Sequence, residues 1–206
     1  MTDSRTLLLE SIRIEEKDKK IKRLRTLTEA QWEALLEEAG RHGLVPLLFH
    51  TLKPYYPDPR IPAPIQEKMR RIYYSSAARN MKLYQQLEGI VRKFAREEIP
   101  VILLKGAHLA MFVYDNLALR PMIDVDLLVK REDLEKVNLI LIDDGYRTVD
   151  EDFRPQSKII SLESYSKSNW LIVEIHFHLF IYPYFERIDI TELWKRAERK
   201  TIYKED

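Results

Sequence analysis

Ile123-Asp124-Val125-Asp126-Leu127-Leu128-Val129 reads as a buried strand interrupted by two carboxylates. Strand side chains alternate between faces, so Ile123, Val125, Leu127 and Val129 form one apolar side while Asp124, Asp126 and Leu128 share the other. The same alternation over Trp170–Leu179, the clearest strand in the chain, puts Leu171, Val173, Ile175, Phe177 and Leu179 inside. Trp170, Ile172, Glu174, His176 and His178 then share the opposite face. If these two strands are neighbours, Asp124, Asp126 and Glu174 converge. Like charges packed together raise one another's pKa and repel unless a divalent cation neutralises them. Ligands that are all oxygen favour Mg²⁺ or Mn²⁺, and the chemistry such ions support is in-line phosphoryl or nucleotidyl transfer. An Asp-x-Asp on a strand is also a common solvated face. What favours the metal reading is context: Lys105-Gly106 at the end of an earlier strand, then a helix, Arg120 shortly before Asp124, and the isolated Glu174 on a strand of aromatic and apolar residues.

Outward from this strand, Val101-Ile102-Leu103-Leu104 predicts a buried strand that closes at Lys105-Gly106, followed by a helix near Ala107–Tyr114. Glu132–Asp144 carries Leu134, Val137, Ile140 and Leu141 at helical spacing and stops at Gly145. Lys158–Leu162 is a third candidate strand, and Asp189-Ile190-Thr191-Glu192 starts a last helix through Arg196. Before Pro100 the pattern is helical. Leu7–Ile14 and a charged segment come first, then Thr28-Glu29-Ala30-Gln31, a capping box that opens a helix carrying Trp32, Leu35, Leu36 and Ala39 on one face. Gly40 is placed to end that helix in a left-handed conformation. Prolines at 54, 57, 59, 62 and 64 predict an extended connector. Beyond it, Ile65–Phe94 has the apolar stripe of one long helix, with Ser76 and Asn80 on the stripe and Asn80 expected to bond a neighbouring backbone. The expected organisation is a helical region over 1–98 with the connector at 54–64, then an α/β unit over 99–206.

The composition narrows the functional classes. At 206 residues the chain is long enough for a substantial core. Cysteine is absent, which excludes thiol catalysis, thiolate zinc sites and disulfides, and fits a reducing cytoplasm. Lys plus Arg is 34 against 33 for Asp plus Glu, a balance that argues against general nucleic-acid binding. The charged N-terminus is no signal peptide, and no apolar run approaches the roughly 18 residues of a membrane span. Five glycines, at 40, 43, 89, 106 and 145, allow neither a dinucleotide-binding nor a P-loop glycine pattern. No heptad run is present, so a monomer is expected.

The order of a strand ending in glycine, a helix, an Asp-x-Asp strand and a third acidic residue on a later strand resembles the DNA polymerase β-type nucleotidyltransferase superfamily. Leu103-Leu104-Lys105-Gly106, Tyr114, Arg120, Asp124–Val129, Gly145-Tyr146 and Glu174-Ile175-His176 are similar to one bacterial branch of uncharacterised nucleotidyltransferases. The resemblance is strongest over 99–179 and extends to the helical pattern from Trp32 to Phe94. It implies an α+β fold, with N-terminal helices packed on a mixed sheet flanked by helices. It further implies that Asp124, Asp126 and Glu174 bind the metal ions and that Gly106 lets the phosphates approach the helix that follows. Lys105 and Arg120 would hold the triphosphate. The substrate would be an NTP and the acceptor a hydroxyl of unspecified identity, with release of pyrophosphate. Ala107 stands where the superfamily usually has a second Gly or a Ser, and the gap from Gly106 to Asp124 is longer than usual. The chain also ends where relatives continue into further helices, so it is either a short member or a truncated one. These departures keep open a second reading, a nucleotide-binding or toxin-antitoxin-like interaction module of the same fold without turnover. A third is a structural interaction domain whose carboxylates face solvent.

His176 and His178 share the face of Glu174, and His-x-His on a strand can also pair on a transition metal. The weightier expectation for both, and for His108 just after Gly106, is a supporting or packing role around the site. His42 and His50, in helical context, are expected to be ordinary surface or core residues.

Overall fold

A computed structural model of the chain describes residues 3–12, 17–114, 116–149, 162–167, 171–179 and 189–202. The element order is α1 (Ser4–Ile12), α2 (Lys17–Leu24), α3 (Glu29–Arg41), α4 (Val45–Leu52), α5 (Ala63–Arg96), β1 (Ile102–Leu103), α6 (Lys105–Phe112), β2 (Asp124–Leu128), α7 (Leu134–Asp143), β3 (Arg147–Thr148), β4 (Leu162–Lys167), β5 (Leu171–His176) and α8 (Thr191–Arg196). Two compact units divide these elements. Met1–Met81 with Phe112–Pro121 forms one, and Lys82–Met111 with Met122–Asp206 forms the other.

The first unit is helical around a core that includes Trp32, Leu35, Ala39, Leu48, Phe49 and Met69. The capping box forms as expected: Thr28 accepts from the Gln31 backbone N–H, and the Gln31 side chain accepts from the Thr28 N–H. The helix end differs from the expectation. Gly40 lies inside α3, and it is Gly43, at φ +67°, that takes the left-handed position. The Gly43 N–H bonds the Gly40 carbonyl and the Leu44 N–H bonds the Ala39 carbonyl, a paired closure that needs a residue free of Cβ strain at position 43. The proline stretch is not wholly extended either. Pro54 sits in a 3₁₀ turn over Lys53–Tyr55 and Pro64 lies in the first turn of α5, where a missing N–H costs nothing.

Within that stretch Asp58 is buried and held by the Arg25 and Arg60 side chains and the Arg60 backbone N–H. Burial alone would raise its pKa, but these donors outweigh it and hold the carboxyl below the usual aspartate range. On the first half of α5, Ser76 donates to the Ala118 carbonyl and Asn80 Nδ2 donates to the carbonyls of Leu117 and Arg120. Asn80 is fully buried, so the polar step in the apolar stripe is the anchor of segment 116–120.

The second unit holds a five-stranded sheet in the order β1-β2-β5-β4-β3. β2 and β5 run parallel, and the other neighbours are antiparallel. The fold is thus the expected α+β type with a mixed sheet flanked by helices. β1 is half-buried and only two residues long, where a longer buried strand is expected from Val101–Leu104. α7 stops as expected at Gly145, whose φ of +82° accompanies a Tyr146 N–H bond to the Leu141 carbonyl. β3 carries no sequence signal, and most of the strand expected at Lys158–Leu162 lies outside the described residues.

Asn80→Ala should lower the unfolding free energy by about 1–3 kcal/mol, since the carbonyls of Leu117 and Arg120 lose the donor that a fully buried side chain supplies; a loss below about 0.5 kcal/mol in urea unfolding would contradict this role. Asp58 has a lowered folded pKa, so its contribution is present above the ordinary aspartate pKa of about 3.9 and disappears as pH falls through the folded value. Urea unfolding from pH 5 downward should therefore show a steeper acid loss in the wild type than in Asp58→Asn.

Candidate active site

The second unit builds a site where β2 meets β5. β2 lies between β1 and β5, and its register with β5 sets Asp124 opposite Ile172, Asp126 opposite Glu174 and Leu128 opposite His176. In-register parallel neighbours point to the same face, so this pairing brings the Asp126 and Glu174 carboxylates together. Val125, Leu127, Val129, Val173 and Ile175 are buried, as the alternation predicts. Ile123 departs from it, being 66% exposed just before the strand begins, and Leu179 is exposed beyond the end of β5. The acidic face is partly shielded from solvent: Asp126, Leu128, His176 and His178 are buried, and Asp124 and Glu174 are half-buried. A strand between two others, covered on both faces, buries both of its side-chain rows.

Among the described residues, Asp126, Glu174 and His176 form a group whose ligand atoms lie within 4.8 Å of one another. His176 Nε2 is 2.9 Å from Asp126 Oδ1 and 3.4 Å from Glu174 Oε2. A carboxylate can only accept, so Nε2 carries the proton and donates to Asp126. Lys105 completes the arrangement. Its Nζ forms an ion pair with Asp126 Oδ1 and lies 3.8 Å from Glu174 Oε2. The approach is set by the main chain, because the Leu104 N–H bonds the Asp126 carbonyl at 3.0 Å and α6 starts at the next residue.

The carboxylates are electrostatically unequal. Burial would raise Asp126, but hydrogen bonds from His176 and then Lys105 outweigh it and pull the group down to about 2. Glu174 moves the other way, raised by burial and by its hydrogen bond and charge interaction with Asp126, with Lys105 only partly offsetting them. Lys105 is raised: burial opposes its charge, and the Asp126 hydrogen bond and charge more than restore it.

Asp124 stands one alternation step from Asp126, about 6.6 Å along the strand. It lies outside the close group, yet its charge contributes to the shifts of both Lys105 and Glu174. Gly106 sits in α6 with its missing Cβ facing Met122, whose Sδ would be 3.2 Å from an added Cβ, so helix packing is one reason for glycine there. His108 is half-buried on α6, and His178 is buried past β5, outside the close group. Arg120 belongs to the first unit, where Asn80 holds its carbonyl. Alternation places His176 on the acidic face. Its direct contact with both carboxylates, and that of Lys105, are the parts that sequence reasoning missed.

Asp126 and Glu174 at such short range fit a divalent cation, whereas His176, with its Nε2 proton given to Asp126, stands beside this oxygen pair and becomes a nitrogen ligand only when that proton is lost. Lys105 supplies one positive charge against Asp126 and Glu174 with Asp124 nearby, which leaves an excess of negative charge for such an ion to neutralise. The family of uncharacterised nucleotidyltransferases matches residues 28–206, and the chain belongs to it. No curated protein and no solved structure matches the chain. No helix among the described residues is long and apolar enough to cross a membrane.

The inequality of the carboxylates gives a stability prediction without added metal. Asp126→Asn should cost about 1–3 kcal/mol, because it removes the negative charge that pairs with Lys105 and strengthens the bond from the buried His176. Glu174→Gln relieves repulsion and should cost less than about 0.5 kcal/mol. Equal losses in urea unfolding at neutral pH would contradict the assignment.

Proposed function

We propose that the chain transfers a nucleoside monophosphate from an NTP to a hydroxyl acceptor with release of pyrophosphate, using Mg²⁺ or Mn²⁺ held by Asp126 and Glu174 with Asp124 beside them. The observation that carries this reading is the register of Asp126 with Glu174 across parallel strands, within a chain of the nucleotidyltransferase family. The order of Lys105-Gly106, α6, the Asp-x-Asp strand and the Glu174 strand supports the finer placement in the polymerase β-type superfamily.

Bound at these carboxylates, a divalent cation supplies positive charge to the phosphoryl oxygens and lowers the pKa of a coordinated hydroxyl. Asp126 and Glu174 present the oxygen ligands. His176 fixes the orientation of Asp126 by its Nε2–H bond, so the ligand does not have to be organised when substrate arrives. Lys105 is the chain's own point charge for the triphosphate, on the first residue of α6, whose N-terminal amides favour anions. The buried apolar rows of β2 and β5 hold these groups rigidly, and alignment is a large part of what such transfer requires.

Thermal melting with each of the four NTPs, with and without Mg²⁺ or Mn²⁺, tests this reading. At 100 times its dissociation constant a nucleotide should add about 2.7 kcal/mol of stability. The expected result is stabilisation by at least one NTP that requires the cation and disappears in Asp124→Asn/Asp126→Asn. Pyrophosphate release by Asp126→Asn should fall roughly a hundredfold or more. Binding without pyrophosphate release from any acceptor would favour the interaction module instead, and no shift with any nucleotide would contradict both.

A further inference from the structure

We propose that Lys105 is a built-in counter-ion for the Asp126–Glu174 pair, which a divalent cation has to displace in order to bind; this rests on the reading of those carboxylates as cation ligands. Asp126 Oδ1 accepts from both Lys105 Nζ and His176 Nε2, and Glu174 Oε2 lies 3.8 Å from the same ammonium. The oxygens that suit a cation are therefore the oxygens that Lys105 already engages. An ammonium and a divalent ion on one carboxylate oxygen repel each other, so their binding is competitive.

The partners differ in which of them can move. The Lys105 side chain is 60% exposed whereas that of Asp126 is 4% exposed. Lys105 can swing into water, where its ammonium is solvated, while Asp126 is fixed within the sheet. The backbone keeps the released ammonium close. Lys105 has a φ of +42°, a left-handed conformation that a residue with a Cβ adopts only at a steric cost, and the preceding Leu104 N–H is bonded to the Asp126 carbonyl. A strained non-glycine residue is thus held beside the carboxylate that its side chain neutralises.

This arrangement couples the two ligands of the proposed reaction. A free divalent ion meets competition from Lys105. An ion arriving with a triphosphate does not, because the displaced ammonium gains a new anionic partner in the phosphates. The site then favours the metal–nucleotide complex over either component alone.

Mn²⁺ titration followed by electron paramagnetic resonance, without nucleotide, tests the inference on the wild type, Lys105→Met, Lys105→Gln, Lys105→Arg and Asp126→Asn. Removal of the charge should tighten Mn²⁺ binding roughly tenfold or more in Lys105→Met and Lys105→Gln, since a unit charge a few ångströms away repels the ion by several times RT. Lys105→Arg should stay near the wild type, and Asp126→Asn should lose the site. Unchanged or weaker binding in the neutral variants, with the site still lost in Asp126→Asn, would overturn the counter-ion role and leave the cation site standing. Failure of both the wild type and the neutral variants to bind Mn²⁺ would overturn both.

Discussion

The parallel pairing of β2 with β5 is the constraint on which the site depends. In this register Asp126 lies opposite Glu174, and a slip of one residue would set it opposite Val173 or Ile175 and separate the carboxylates onto different faces. The register is held by its apolar row: Val125, Leu127, Val173 and Ile175 are buried on the other side of the same strands. Hydrophobic packing on one face therefore enforces an electrostatically costly meeting on the other. That cost is met locally by the His176 imidazole and the Lys105 ammonium.

The resulting carboxylates are asymmetric. Asp126 is buried, doubly hydrogen-bonded and pulled to a low pKa, so it is a permanent anion at neutral pH. Glu174 is more exposed and pushed upward by its neighbour, so it is the carboxylate that gains most when positive charge is added. A rigid anion beside a more labile one gives a divalent ion both a fixed anchor and an excess of charge to neutralise.

Much of this was legible in the sequence because alternation is a strict rule within a strand. It placed Asp124 with Asp126 and Glu174 with His176, and the helical stripe from Ile65 to Phe94 gave α5 within two residues at each end. The errors lie where alternation and local signals stop applying. Ile123 is exposed because the strand begins only at Asp124. Gly43 outcompeted Gly40 as the end of α3 because the length of a helix is set by its packing as well as by where glycines fall. β3 is two residues long and exists through its pairing with β4. The contact of Lys105 with Asp126 spans 21 residues and depends on β1 pairing with β2, which no local pattern announces.

The central claim is that the facing carboxylates of β2 and β5 bind a divalent ion together with a nucleotide. The most direct measurement is anomalous diffraction from crystals grown with Mn²⁺ and a non-hydrolysable NTP analogue. The account predicts a manganese peak at about 2.0–2.2 Å from carboxylate oxygens of both Asp126 and Glu174, with analogue phosphate oxygens completing its coordination. A nucleotide bound elsewhere, or manganese found away from both carboxylates, would contradict it.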